Sequence, residues 1–424
     1  MPFKLLRNLC LLLLTMLLVA VGTLFPLKAQ VPASVTPIAE RVNAYLAEGQ
    51  IETGATELAV ELFVDPDNDE LRFGVGFLQF AQAVQNLGQS WYDYGLRSED
   101  GIAEFIPFLR LPVLSNPTPQ SLNNDQFRQI LDQFGRELLT AEETLAAIDS
   151  DTVKFGVYPG QVYFDFDSNG ARSESESLWR IYAQLNRRAD LTEAQATNFL
   201  INLDAGDVQW LRGYCHLLAG ILDFYLAHDD SRLFDHVAHL FFQNPVTPYP
   251  FLLEGSPELW DDGLFLDLFA LGQLLDLPVT NPLRMTTALE HFQQVTALSR
   301  QTWDLYSQET DDDREWIPNP NQTGVIPGAT VTRDMIDEWR AFLDEADAIL
   351  AGELLLPFWR GTTPMGINLN RVFTKPQAFN PSLWVQGTAA APYLEVGTIT
   401  DPDFWWRLMD AFNGRFLFFA LWFN

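Results

Sequence analysis

Asp165, Asp167 and Asn169 alternate, Gly170 follows, and Glu176 lies six residues further on. That spacing gathers oxygen donors and little else. Three alternating side chains turn their oxygens to one side, and the glycine permits a sharp turn. The backbone carbonyl of Ala171 and the side chain of Ser173 are the next donors, and Glu176 closes the set with two oxygens. Hard divalent cations want this chemistry. Calcium takes six to eight oxygens at about 2.3–2.6 Å, in a flexible cage that carboxylates, amides and carbonyls can all build.

The run Phe164–Trp179 resembles the EF-hand family at every fixed position of its loop, over residues 165–176 only. The resemblance implies bound Ca2+ with Asp165, Asp167, Asn169, Ala171, Ser173 and Glu176 as ligands. Two departures shape the expectation. The eighth loop position, usually apolar so that two loops can pair, is Arg172. The residues before the loop, Tyr158 to Phe164, read as a turn and a short strand where an incoming helix is usual. The sequence therefore predicts a solitary strand–loop–helix site, with the outgoing helix starting near Glu174. Asp65, Asp67 and Asp69 also alternate, but Glu70 stands where the glycine should be. That run reads as a helix start, with Asp67 and Glu70 at capping-box spacing.

A second polar set lies on the helix expected from Asp207 to Ala227. Apolar residues cover most of its surface, and Arg212, His216 and Asp223 fall on the remaining stripe. The stripe either faces solvent or forms a structural ion-pair network, or else it is a polar site with His216 as a proton carrier tuned by its neighbours. Gly213 and Gly220 flank it and would let another backbone approach. His236 and His239 have metal-compatible spacing without a third ligand. Paired acids beside rings, Asp261-Asp262 after Trp260 and Asp311 to Asp313 before Glu315-Trp316, have the composition that glycoside hydrolysis uses.

The elements that must hold these residues are mostly helical. Apolar positions recur at the helical period in 127–145 and 335–350, and further helices are expected over 67–87 and 282–308. Proline and glycine break the pattern in 311–332 and 356–400, where short extended pieces such as Ile367 to Phe373 are expected. The expected fold is mainly α. It is a compact multi-helix domain with a few short strands and an inserted calcium module at about 153–187. The aromatic-rich stretch from Phe404 to Phe423 reads as a final helix docked on the core.

Composition bounds the function. Lys4 and Arg7 precede an apolar run, Leu9 to Leu24, and Ala29 suits a cleavage point. Residues 1–29 thus read as a signal peptide, leaving 30–424 as one large helical domain that is exported to the periplasm or secreted. The apolar run is shorter than a membrane span prefers, so no stable membrane insertion is expected after cleavage. Cleavage removes three cations and no acids, so the formal charge of −30 becomes −33. Such a chain repels nucleic acid and anionic membranes. Cys215 is the single cysteine of the expected mature chain, so an intrachain disulfide has no part in its stability. The expectation is a non-enzymatic binding or structural protein, calcium-stabilised, whose partner is a protein or a carbohydrate. The alternative is an extracytoplasmic glycan-active enzyme working through paired carboxylates.

Overall fold

The computed structural model describes residues 36–98, 108–109, 111–185, 192–254, 262–325, 330–360 and 365–422. The chain is mainly helical, as expected. The first three helices are α1 (Pro37–Glu48), α2 (Ile51–Val64) and α3 (Asp69–Asp93). They are followed by α4 (Asn124–Ala146), strand β1 (Lys154–Val157), α5 (Leu178–Leu185), α6 (Glu193–Thr197) and strand β2 (Ile201–Asp204). The second half holds α7 (Ala205–Leu226), α8 (Ser231–Val237), α9 (Asp262–Leu274), α10 (Pro282–Tyr306) and α11 (Arg333–Ala351). Next come β3 (Leu356–Pro357), β4 (Gly366–Ile367), α12 (Leu369–Thr374), α13 (Pro381–Gln386), β5 (Leu394–Glu395), α14 (Pro402–Ala411) and α15 (Phe416–Trp422).

The long helices pack in series: α2 on α3, α3 on α4, α4 on α7, α7 on α10, and α10 on α11. The order follows from which faces are apolar. On α4, Phe127, Leu131, Phe134, Leu138, Ala141 and Leu145 form one buried stripe. In α3, buried residues occur on several sides, including Phe73, Val75, Leu78, Ala83, Leu87 and Trp91, so it lies inside the layer. α7 is likewise buried along most of its surface. A separate aromatic cluster joins α10 and α11 to the C-terminus: Trp303, Trp339, Phe412, Phe416 and Phe419 pack ring against ring.

Several local expectations are corrected. Asn68, not Asp67, caps α3, accepting from the Leu71 amide at 3.0 Å. Glu70 does not reach back to the cap, because it accepts from the Thr36 hydroxyl at the start of α1. The C-terminal stretch is two helices rather than one. Asn413 (φ 48°) and Gly414 (φ 76°) take left-handed backbone and turn the chain between α14 and α15. The extended piece expected at Ile367 to Phe373 shrinks to β4, because the Asn368 side chain caps α12 at the Arg371 amide. Among the described residues no helix is long and apolar enough to cross a membrane.

The two longer strands set the stage for the loop. β1 pairs antiparallel with β2, Lys154 opposite Asp204 and Val157 opposite Ile201. The buried face of β1 carries Phe155, which packs on Phe73 of α3 at 5.1 Å between ring centroids. The loop therefore leaves a ribbon anchored on α3 at one end and joined to the start of α7 at the other.

Candidate metal centre

The chain enters the 165–176 loop extended, as expected. A short 3-10 turn, Pro159–Gln161, follows β1. Tyr163 then donates to the Leu46 carbonyl at 2.9 Å and bridges antiparallel to Ser177. The Phe164 amide donates to the Glu176 carbonyl at 3.0 Å, and the Leu178 amide to that of Val162 at 2.8 Å. This small ladder ties the loop's two ends together. It also keeps Ser177 extended, so the outgoing helix starts at Leu178, later than expected. Glu174–Glu176 forms a single 3-10 turn instead.

Helix α3 holds the loop from below. The Asp165 amide donates to Gln85 Oε1 at 3.0 Å, and Gln89 Nε2 donates to the Asp165 carbonyl at 2.8 Å. Phe164 and Phe166 stack at 5.3 Å, and Phe166 sits where Gly88 of α3 leaves room; a Cβ on Gly88 would run into its ring. The residue carrying the first expected ligand is thus fixed by main-chain contacts, leaving its carboxylate free to face the loop.

Inside the loop, backbone amides organise the acids. Asp165 accepts from the amides of Asn169 (3.0 Å) and Gly170 (3.2 Å). Asn169 Oδ1 accepts from the Ala171 amide at 2.6 Å, while its Nδ2 donates to Asp167 at 2.7 Å. Glu176 Oε1 accepts from the amides of Phe166 (2.9 Å) and Asp167 (3.3 Å). Ser168 (φ 55°) and Gly170 (φ 68°) supply the left-handed backbone that curls the loop.

Oxygens of Asp165, Asp167 and Glu176 all lie within 4.8 Å of one another. Glu176 is 1% exposed, and its Oε2 has no hydrogen-bond partner. Burial, and then the nearby charge of Asp167, raise the Glu176 carboxyl above the usual carboxylate range. A buried oxygen facing two other acids lacks a positive partner, and a cation at that point would supply one.

The other loop residues take different roles. Ser173 shares a hydrogen bond with Ser175 at 2.5 Å, and Glu174 pairs with Arg180. Arg172 lies 4.1 Å over the Tyr163 ring. An arginine at that position thus covers the loop's own ladder instead of reaching toward a second loop.

Of a second carboxylate group, the sequence reading named only Glu315. Asp204, Glu309 and Glu315 also bring oxygens within 4.8 Å of one another. Asp204 ends β2 and caps α7, accepting from the Gly206 amide at 2.8 Å. Glu309 accepts from Gln322 Nε2 at 3.0 Å, and Glu315, 4% exposed, accepts from the Asp313 amide at 3.0 Å. Burial dominates their titration, pushing Glu309 up to about 8 and Glu315 to about 7. Beneath them Asp207, 2% exposed, accepts from Tyr306 Oη at 2.7 Å. These residues come from β2, α7 and the 309–315 segment, brought together by the Asn202–Glu315 bridge, so no local spacing announces them. Their neighbour Asp311 is bound to Lys154, and Asp312 accepts from the Thr323 amide at 2.6 Å. Asp261, the other acid offered for a glycan site, lies outside the described residues, as does the Asp262 side chain.

Arg212, His216 and Asp223 do not form a solvent strip. Half-buried, they lie in one ion-pair network between α4, α7 and α10. Arg212 Nε meets Glu142 at 2.9 Å, and His216 Nδ1 meets His291 Nδ1 at 2.8 Å. Asp223 binds Arg284 at 2.5 Å and faces His291 Nε2 at 3.6 Å. Gly220 makes the approach possible, because a Cβ there would press on His291 Cβ (3.2 Å) and Phe292 (3.0 Å). His236 and His239 part company: His236 packs at a tilt on Tyr249, 4.7 Å between ring centroids, and His239 Nε2 meets Asp267 at 3.0 Å. Cys215 is buried and its thiol is pushed up by that burial.

No protein-family model matches the chain, and neither the curated proteins nor the solved structures compared with it include a match.

Proposed function

We propose that the protein is an exported acidic helical protein in which the Asp165–Glu176 loop holds one calcium ion that fixes the loop and its flanking ribbon to the helical body. Its role is to bind or support a protein or carbohydrate partner rather than to catalyse a reaction. The observation that carries the ion is Glu176: a buried carboxylate with an unpartnered oxygen, set against Asp165 and Asp167. Asn169, the Ala171 carbonyl and Ser173 complete an oxygen set suited to calcium, directly or through water. The ladder between Tyr163 and Ser177 supports a stabilising role, because it ties the loop's two ends to each other. Export supports weak affinity, since extracellular calcium sites work at about 10⁻⁴–10⁻³ M.

Titration calorimetry of the metal-stripped protein with calcium tests the reading. One ion per chain is expected, with heat that disappears in Glu176→Gln. Calcium heat that survives that substitution undiminished would place the ion elsewhere, and no binding up to about 10 mM would remove the site.

A further inference from the structure

The two imidazoles at the α7–α10 contact present four ring nitrogens in a fixed order. His216 Nε2 faces Glu142 Oε1 at 3.6 Å, the two Nδ1 atoms meet at 2.8 Å, and His291 Nε2 faces Asp223 Oδ2 at 3.6 Å. Only certain proton counts fit this row. The central contact needs one N–H and one lone pair, so it takes a single proton. Each outer nitrogen faces a carboxylate oxygen and is best served by an N–H. Three protons on four nitrogens, one imidazolium and one neutral ring, fill the central contact and turn an N–H toward each carboxylate, the outer pairs at 3.6 Å being charge contacts rather than hydrogen bonds. With two protons, one lone pair points at a carboxylate. With four, two N–H groups collide at the centre.

We propose that His216 and His291 form a one-proton clasp that locks α7 to α10 and releases them when a second extra proton arrives.

The surroundings fit a single positive charge. From α4 come Glu142, Asp132 and Arg136; from α7, Arg212, Asp223 and the buried Cys215; from α10, Arg284 and Glu290. Arg212 engages Glu142, and Arg284 engages both Asp223 and Asp132, so charges alternate along the row with the shared proton between Glu142 and Asp223. Other elements packed on α10 spend their charges elsewhere: Arg300 meets Asp344 and Asp347 of α11, and Arg371 of α12 meets Glu395. His291 is 8% exposed, and burial followed by the neighbouring His216 holds it below the ordinary histidine value. A base held low in the folded state favours folding above its unfolded value and loses that contribution in acid, which is the direction the clasp requires. The clasp also sits where opening has most effect, because α7 and α10 make the most extensive helix pairing among the described residues, and Gly220 lets no spacer between them.

The test is ¹⁵N NMR of histidine ring nitrogens across pH, with calcium held constant so that the loop is silent, combined with amide exchange in 205–226 and 282–306. The expected result is one shared Nδ1 proton near neutrality and uptake of the second extra proton well below about pH 6.5, the ordinary histidine midpoint. With that uptake, amide exchange in both helices should rise at least tenfold after correction for intrinsic rates. His291→Gln should abolish the acid step in exchange. Two rings that titrate independently near the ordinary value with unchanged protection would overturn the clasp, as would an acid step that persists in His291→Gln. Should that variant not fold, the wild-type nitrogen spectra decide alone.

Discussion

Substituting Glu176 by glutamine separates the two things the carboxylate does. Oε1 accepts from the amides of Phe166 and Asp167, and a glutamine oxygen can still do that. The second oxygen, buried and unpartnered beside Asp165 and Asp167, is a source of repulsion without a cation. Without calcium, Glu176→Gln should therefore melt at or above the wild-type temperature. With calcium the order reverses. At about 10 mM ion and a dissociation constant of about 10⁻⁴–10⁻³ M, mass action stabilises the wild type by about 1.4–2.7 kcal/mol. For a chain of about 390 folded residues the unfolding entropy near the midpoint is about 0.8 kcal/mol per kelvin, so the shift is about 2–3 °C. The assay is differential scanning calorimetry of both proteins in chelator and in calcium. A crossing of the two pairs of melting temperatures is expected. Parallel shifts in the two proteins, or none in the wild type, would refute the reasoning.

Other outcomes follow from the same geometry. Glu176 is raised above the usual carboxylate range, so the metal-free loop loses stability as pH rises through that range, while calcium needs the ionised form; the calcium-induced rise in melting temperature should shrink toward zero as pH falls to about 4. Gly88→Ala pushes a Cβ into the Phe166 ring and should cost about 1–3 kcal/mol by denaturant melts while weakening calcium binding in the calorimeter. Tyr306→Phe leaves the buried Asp207 without its hydroxyl donor and should cost about 1–3 kcal/mol in the same melts. Glu309 and Glu315 are raised from the ordinary carboxylate range to about 8 and about 7, so they oppose folding increasingly as pH rises from that range up to those values. Glu309→Gln should accordingly raise the melting temperature more at pH 8.5 than at pH 6, and an equal gain at both would count against the raised titration of Glu309.

Much of this arrangement is legible without coordinates because it is local. A twelve-residue loop carries its own spacing, and Asp165, Asp167 and Glu176 converge because the turn at Ser168 and Gly170 is built into the same segment. The long helices are legible for a similar reason. Apolar residues at the helical period report which face is buried, as the stripe on α4 illustrates. Boundaries were harder. Whether Asp67 or Asn68 caps α3 depends on Glu70 being drawn to Thr36, and the late start of α5 depends on Ser177 being held in a bridge with Tyr163.

Tertiary structure alone decided which distant residues share a site. Gln85 and Gln89 belong to the 165–176 loop only because α3 runs beneath it. Asp204 meets Glu309 and Glu315 through a bridge between segments more than a hundred residues apart, and burial then changes when they ionise. Arg212, His216 and Asp223 could be placed on one helical stripe from spacing, yet their partners Glu142, Arg284 and His291 lie on two other helices. The physical reason is common to all three. Helical period and loop spacing encode which face a residue occupies, whereas the group it meets across an interface is set by how the faces dock.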